Sequence, residues 1–343
     1  MDALLSVRDL AVHYRTAVGP VRAVDGASFD VPARSIVGLV GESGCGKSTL
    51  GRALMGVMPR SASIAAGSAV FEGRDLVTLS PAERRKLLWR RMAFVPQTAM
   101  NALDPVQRLG AQMLEVLVER GGLSRAAAGA RAAELFALVG LDAGRLRDWP
   151  HQFSGGMRQR ASIALALALN PALLIADEPV TALDVIVQRQ VLDVMRELQS
   201  RLGLSMILVT HDVAVVAYAC DRVVVMYAGR VVESGPVRAV LEAPLHPYTM
   251  GLMNAFPDLE RAGGELVPIE GSPPSLLHPP AGCRFAARCP FVSSRCTEDP
   301  VLVEQSADHH VACWRAAEAP ALRPLASEAT TWSNIAKDAT WSR

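Results

Sequence analysis

The sequence predicts an α/β protein built on a mostly parallel sheet with flanking helices, an antiparallel β region before it and a helical subdomain inserted into it. Three observations predict that class. The apolar run Ser35-Ile36-Val37-Gly38-Leu39-Val40 reads as a strand, and it leads directly into Gly41-Glu42-Ser43-Gly44-Cys45-Gly46-Lys47-Ser48-Thr49, which fits the G-x-x-x-x-G-K-[ST] pattern of a phosphate-binding loop ahead of a helix. Residues 173–176 are apolar without alternation, as in a strand covered on both faces. Between residues 156 and 228 helical and strand patterns take turns, the order that yields a parallel sheet.

Along the chain, residues 1–34 read as short strands and turns, and a helical pattern follows the phosphate loop over 49–58. Residues 60–97 continue the strands, with a charged helical stretch at 82–90. Residues 98–153 are mostly helical, including the Ala-rich stretch 125–139. Ser154-Gly155-Gly156-Met157-Arg158-Gln159-Arg160 opens another helix, which ends at Asn170-Pro171. Residues 229–259 supply a closing strand and helix. Pro268, Pro273, Pro274, Pro279 and Pro280 mark a linker with no room for long helices. After about residue 322 the chain is polar and aperiodic, and a mobile tail is expected. The expected units are therefore a nucleotide-binding unit over 1–258 with its helical subdomain at about 98–160, a proline-rich linker and cysteine-containing extension over 259–320, and a tail over 321–343.

At 343 residues the chain exceeds a typical single core. Thirty-five basic against 34 acidic residues leave a net charge of +1, so no electrostatic field favours nucleic acid. No stretch approaches the roughly 20 apolar residues that span a bilayer, and the N-terminus lacks the basic and apolar regions of a signal peptide. A mean hydropathy of +0.21 is high, and alanine richness explains much of it.

The loop glycines Gly41, Gly44 and Gly46 let backbone N–H groups turn toward phosphate oxygens at the positive end of a helix, with Ser43, Cys45 and Thr49 in the same cradle. Lys47 would set a point charge on the β- and γ-phosphates and the Ser48 hydroxyl would ligate Mg²⁺. Such a chain binds a nucleoside triphosphate. Ser154, Gly155 and Gly156 offer a hydroxyl and unhindered amides to a second anion, although a serine-capped glycine loop has the same appearance. Asp177 and Glu178 close the apolar strand at its C-terminal end, where ligands of open α/β sheets bind. Adjacent side chains on a strand point to opposite sides, so one carboxylate can serve a metal while the other polarises water.

These motifs, in this order over roughly residues 1–320, resemble the ATP-binding subunits of ABC transporters. The resemblance implies that Tyr14 stacks on adenine, that Gln97 in Phe94-Val95-Pro96-Gln97 meets Mg²⁺ and the attacking water, and that Asp177 holds Mg²⁺ through water. It implies further that Glu178 is the catalytic carboxylate, Ala182-Leu183-Asp184 the D-loop and His211 the switch histidine. Ser154, Gly155 and Gly156 would contact ATP bound to a partner subunit. Read alone, Tyr14 is also an ordinary strand aromatic and His211 a capping or surface histidine.

Four of the six cysteines, Cys283, Cys289, Cys296 and Cys313, lie in the last quarter of the chain; Cys45 belongs to the phosphate loop and Cys220 to an apolar helical pattern. Disulfides are improbable in a cytosolic, ATP-facing chain. The spacings of five, six and sixteen residues lack the C-x-x-C knuckle of structural zinc, while four thiolates suffice for an iron–sulfur cluster. The segment Gly282-Cys283-Arg284-Phe285-Ala286-Ala287-Arg288-Cys289-Pro290, together with His246-Pro247-Tyr248-Thr249, resembles the C-terminal extension of oligopeptide and dipeptide transporter ATPases, some of which carry a [4Fe–4S] cluster there. The expectation is a [4Fe–4S] cluster on the four cysteines, with zinc or free thiols as alternatives.

The resemblance also implies the assembly. Met157 is similar to the residue in one of two paralogous ATPases, so a heterodimer of ATPases is expected beneath two transmembrane permease subunits, with an extracellular solute-binding protein acting indirectly. The chain would sit peripherally on the cytoplasmic face of the membrane and power uptake of peptides or a related small solute. Ala102-Leu103-Asp104-Pro105 stands where Ser-Leu-Asn-Pro is common, and Val180 where Thr is frequent; neither is a catalytic position. The competing class is a soluble ABC ATPase acting on nucleic acid or ribosomes, which usually carries two cassettes or a coiled-coil insertion and basic surfaces. Substrate identity is not encoded, since specificity in such importers lies in other subunits.

Overall fold

The computed structural model describes residues 3–97, 102–181, 183–254 and 268–333. The strands β1 (Ala3–Thr16) and β2 (Gly19–Pro32) form a long, bulged antiparallel hairpin. Next come β3 (Ile36–Val40), the phosphate loop and α1 (Lys47–Met55). β4 (Ala62–Phe71) and β5 (Arg74–Asp75) lead to α2 (Pro81–Leu87), whose start is fixed by a capping box between Ser80 and Glu83. β6 (Met92–Val95) precedes a helical region containing α3 (Leu109–Glu115) and α4 (Arg125–Leu138). The chain then returns through α5 (Gly155–Ala166), β7 (Leu173–Asp177), α6 (Val185–Leu202), β8 (Ser205–Thr210), α7 (Val213–Ala219), β9 (Arg222–Tyr227) and β10 (Arg230–Pro236). It closes with α8 (Val237–Glu242), α9 (Pro247–Asn254), β11 (Val303–Ser306), β12 (His309–Val311), α10 (Ala319–Ala326) and α11 (Ala329–Ser333).

Two sheets result. The smaller, in the order β2-β1-β4-β5, is antiparallel. The larger runs β11-β12-β10-β9-β3-β8-β7-β6, with β9, β3, β8, β7 and β6 parallel and the other three strands added antiparallel at one edge. Every residue of β3, β7 and β8 is buried, which explains the unbroken apolar runs 36–40, 173–176 and 206–209. Alternate residues serve different cores. Leu174 and Ala176 join the helical region, α5 and α6, whereas Leu173 and Ile175 join α1 and the antiparallel hairpin.

Between the cassette and the C-terminal helices, residues 268–318 contain only one-turn helices and the β11–β12 hairpin, as the prolines require. This region has no core of its own and completes one begun by the cassette. Phe285, Cys289 and Phe291 pack with Val223, Val225, Tyr227 and Tyr248, and with Leu322, Ala326 and Trp332. The join is also polar. Glu233 on β10, fully buried, accepts the Leu245 and His246 N–H groups at 2.7 and 2.9 Å, while His309 Nε2 on β12 lies 2.7 Å from the same carboxylate. A buried carboxylate is tolerable because several donors replace its water.

The expected mobile tail over 321–343 is corrected for residues 321–333. α10 and α11 are ordered there because Leu322, Ala326 and Trp332 share one buried face, a spacing obscured by the prolines, serines and threonines around them. Residues 334–343 lie outside the described residues, as do 98–101 of the helical region, 255–267 of the linker and Ala182. Trp332 is 1% exposed and its indole N–H donates to the Ala326 carbonyl at 2.7 Å. Trp332→Ala should therefore cost about 3–5 kcal/mol in urea unfolding, as expected for deletion of a buried aromatic; a change within about 0.5 kcal/mol, typical of an exposed site, would return this segment to a mobile tail.

Candidate functional site

The phosphate loop joins the C-terminal end of β3 to α1, at the carboxyl edge of the parallel strands. Gly41 and Gly46 have φ of 153° and 106°, and a Cβ on either would lie 2.1 Å from a backbone oxygen, that of Met226 or Ala23 respectively. Side chains are thus excluded from both ends of the cradle. Gly46 caps α1 without any side-chain hydrogen bond, which leaves the first amides of the helix to an incoming anion. Lys47 is 5% exposed, and its ammonium donates to the Gly41 and Glu42 carbonyls at 2.7 and 2.9 Å. Ser43 and Gly44 are exposed at the crest of the loop, and Cys45 is buried beneath it.

Beneath the start of α1, the Ser48 hydroxyl donates to Asp177 Oδ1 at 2.8 Å. Asp177 is 1% exposed and its second oxygen, Oδ2, has no hydrogen-bond partner among the described residues. Burial raises its pKa, with Glu178 adding to the rise, while Ser48, Arg52 and Lys47 oppose it. An orphaned buried carboxylate oxygen next to a serine hydroxyl is the donor set a small oxygen-seeking cation would use.

Glu178 leaves the strand in a left-handed conformation, φ 50°, while its N–H donates to the Val209 carbonyl at 2.8 Å. That turn sends its carboxylate away from Asp177 into a second set of contacts. Gln97 Nε2 and Thr181 Oγ1 donate to Glu178 Oε2 at 2.8 and 3.1 Å, and His211 Nδ1 lies 3.3 Å from Oε1. Gln97, Glu178 and His211, which come from the ends of β6, β7 and β8, are therefore one constellation. Thr181 joins it and was not singled out from the sequence; its only local signal is a position three residues beyond Glu178 in the same turn.

Tyr14 reaches the same region, its hydroxyl 3.2 Å from Thr49 Oγ1. Ser154 is exposed and caps α5, accepting the Met157 N–H at 3.3 Å, with Gly155 and Gly156 forming the first turn. Asp184 caps α6 in the same way, and the adjacent Val185 and Ile186 are 81% and 73% exposed.

The four cysteines of the extension do not form the expected [4Fe–4S] site. Among the described residues no group of three or more His, Cys, Asp or Glu side chains could hold a metal ion, and Cys283, Cys289, Cys296 and Cys313 are free thiols. Docking on the cassette gives this proline-rich extension its core, with Phe285, Cys289 and Phe291 packed against residues of β9 and α9. The sulfurs have local roles, Cys296 Sγ accepting the Ser293 N–H and Cys313 Sγ the Arg315 N–H at 3.5 and 3.4 Å. Burial pushes the Cys283 thiol up to about 11, that of Cys313 up to about 12, and that of Cys289 well above the ordinary range.

Comparison with known proteins agrees with this geometry. A family model described as "ABC transporter" matches residues 24–181, and one described as "Oligopeptide/dipeptide transporter, C-terminal region" matches residues 232–296. The chain is 45% identical over 322 residues to a "Probable peptide ABC transporter ATP-binding protein y4tR" of Sinorhizobium fredii, covering 92% of this chain and 96% of the relative. It is 43% identical over 319 residues to the "Oligopeptide transport ATP-binding protein OppD" of Escherichia coli, covering 92% and 94%. Among solved structures, the "Dimeric structure of a post-hydrolysis state of the ATP-binding cassette MJ0796 bound to ADP and Pi" aligns with a TM-score of 0.61 at 25% identity, covering 68% of this chain and 99% of that one. The structure of cbiO1 from Clostridium perfringens, part of the cbiONQ ABC transporter complex, aligns with a TM-score of 0.62 at 26% identity, covering 71% and 92%.

The thiol environment has a measurable consequence. A Cys283 thiol pushed up to about 11 is expected to react more slowly at pH 8 than an ordinary thiol, so native alkylation by iodoacetamide, followed peptide by peptide in a mass spectrometer, should be slower than in urea by roughly one to two orders of magnitude. Equal native and denatured rates at buried Cys289 and at half-buried Cys283 and Cys313 would contradict the protonated assignment.

Proposed function

The chain belongs to the ATP-binding subunits of ABC transporters of the oligopeptide and dipeptide type, and from that premise we propose that it hydrolyses ATP to drive uptake of peptides, or of a related small solute, across the cytoplasmic membrane. ABC ATPases use Mg²⁺ with ATP. The observation that carries the reading for this chain is the pairing of two distinct carboxylates: Asp177 buried against Ser48, and Glu178 turned toward Gln97, Thr181 and His211.

In the proposed mechanism the amides of the loop over 41–49 bind the phosphates, and Lys47 moves its ammonium from two backbone carbonyls to the β- and γ-phosphate oxygens. Tyr14 stacks on the adenine and Thr49 steadies its hydroxyl. Ser48 and Asp177, with Gln97, would hold Mg²⁺, which when bound neutralises charge developing on the phosphate oxygens. Glu178 accepts a hydrogen bond from the attacking water and orients it in line with the γ-phosphorus. Gln97 and His211 hold that carboxylate in place, and His211 adds a donor to the γ-phosphate. No covalent phospho-enzyme is required.

The partners are part of the proposal. Ser154, Gly155 and Gly156 would contact ATP on a paralogous ATP-binding subunit, and the exposed Val185 and Ile186 beside Asp184 would be covered in the same heterodimer. Two transmembrane permease subunits would receive the motion, with a solute-binding protein delivering cargo. No helix of the described residues is long and apolar enough to cross a membrane, in keeping with a peripheral position on its cytoplasmic face. Residues 1–258 would act as the cassette, with 98–160 its helical subdomain and 259–320 the extension seated on it.

Glu178→Gln should retain ATP binding and lower steady-state phosphate release by the assembled transporter about 10²–10⁴-fold, the usual worth of a positioned general base; near-normal turnover would assign that role elsewhere. Ser154→Arg should abolish turnover in the assembly while leaving nucleotide affinity of the isolated chain unchanged. A loss of affinity in the isolated chain would argue against action across the dimer.

A further inference from the structure

Glu42, the second residue of the phosphate loop, is held at each of its polar groups. Its N–H donates to the Tyr248 hydroxyl at 2.9 Å, and its carbonyl accepts from Lys47 Nζ at 2.9 Å. Its carboxylate receives two parallel bonds from Arg288, Nη1 to Oε2 at 2.8 Å and Nη2 to Oε1 at 3.0 Å. Arg288 lies 246 residues away, in the cysteine-containing extension. It is buried, with all five guanidinium N–H groups engaged. Beyond the two bonds to Glu42, Nε donates to the Glu270 carbonyl at 2.9 Å, Nη2 to the Ile269 carbonyl at 3.1 Å, and Nη1 to the Tyr227 hydroxyl at 3.2 Å. The guanidinium is therefore fixed by the extension and by β9 before it meets the loop.

We propose that Arg288 is a positioning residue for nucleotide binding: by clamping Glu42 it sets the shape of the phosphate loop, so that the C-terminal extension controls the affinity of the ATP site. The proposal rests on the reading of residues 41–49 as that site. Two physical effects act together. An unpaired Glu42 carboxylate would bring negative charge toward the phosphates, and Arg288 both offsets that charge and directs the side chain away from the cradle. The same clamp fixes the Glu42 carbonyl on which Lys47 rests, and with it the starting position of the ammonium that the phosphates recruit. Arg–carboxylate geometry of this kind is specific to the planar fork, so lysine should substitute only in part. Because coupling between two sites is reciprocal, nucleotide binding must also stabilise the extension.

The test uses the full chain and Mg-ATP. Calorimetric Kd values are measured for the wild type, Glu42→Gln, Arg288→Ala, Arg288→Lys and the Glu42→Gln/Arg288→Ala double variant, and KM and kcat are measured in the assembled transporter. Arg288→Ala should weaken Mg-ATP binding at least about fivefold, the lower end of ordinary coupling between sites; Glu42→Gln, which loses the clamp but exposes no carboxylate, should weaken it by less, and the double variant should be no weaker than Arg288→Ala. Arg288→Lys should fall between wild type and Arg288→Ala, and in the transporter the loss should appear in KM rather than kcat. A merely structural role would lower the melting temperature and leave the Kd of the folded protein unmoved; that result, or effects of the two residues that multiply independently, overturns the proposal. If Arg288→Ala does not fold, Glu42→Gln and Arg288→Lys decide the matter by the same criteria. A wild-type chain that fails to bind Mg-ATP would instead overturn the assignment of the nucleotide site itself.

Discussion

Asp177 ends a strand in which every residue is buried, and one of its carboxylate oxygens has no hydrogen-bond partner among the described residues. A carboxylate so placed is costly unless a donor or cation answers it, and its pKa is raised for that reason. Much of the site follows from the ways this cost is offset. Ser48 takes the other oxygen, which fixes the first turn of α1 against the end of β7. The turn after Asp177 then has to carry the next carboxylate elsewhere. Glu178 does so in a left-handed conformation, a backbone state that costs of order 1–3 kcal/mol and persists only where its surroundings hold it. Gln97, Thr181 and His211 provide that hold, so the strain and the separation of the two acidic roles have a single origin.

The extension has the same dependence on the cassette that the loop has on the sheet. β12 adds to β10, and buried Glu233 ties His309 to the turn before α9. His246, neutral because burial lowers its pKa to about 3, accepts the Tyr248 N–H through Nδ1 at 3.0 Å, and the Tyr248 hydroxyl meets the phosphate loop. A continuous series of buried contacts thus runs from the added strands to Glu42. A segment anchored in this way is held by packing and hydrogen bonds to the cassette, and its cysteines, whose number and spacing suggested a cluster, are not gathered into a metal-holding group among the described residues.

The legible parts of the sequence were those in which chemistry and chain are local. A nine-residue loop must contain glycines where backbone oxygens crowd it, and an all-apolar strand ending in two acids leaves few alternatives for the end of β7. The order of helices and strands likewise forced the parallel sheet. What stayed hidden depends on packing between distant segments. Nothing near Arg288 announces Glu42, because the pair is made only after the extension has wrapped around the end of β9. Trp332 sits among polar residues in a stretch with prolines, and its burial becomes apparent only when α9 and the extension provide a surface for it. Thr181 was overlooked for a different reason: a threonine in a turn has no distinctive spacing, and its role appears only once the rotation of Glu178 is known.

The central claim is that one site, organised around Asp177 and the loop over 41–49, couples ATP hydrolysis by this chain to transport. The most direct measurement is phosphate release by the assembled transporter in lipid vesicles, with and without solute-loaded binding protein, comparing wild type with Lys47→Ala in this chain alone. The account predicts Mg²⁺-dependent hydrolysis that rises with loaded binding protein in the wild type and a loss of both the stimulated rate and solute accumulation in the variant. Stimulated hydrolysis and uptake at wild-type rates in Lys47→Ala would contradict it.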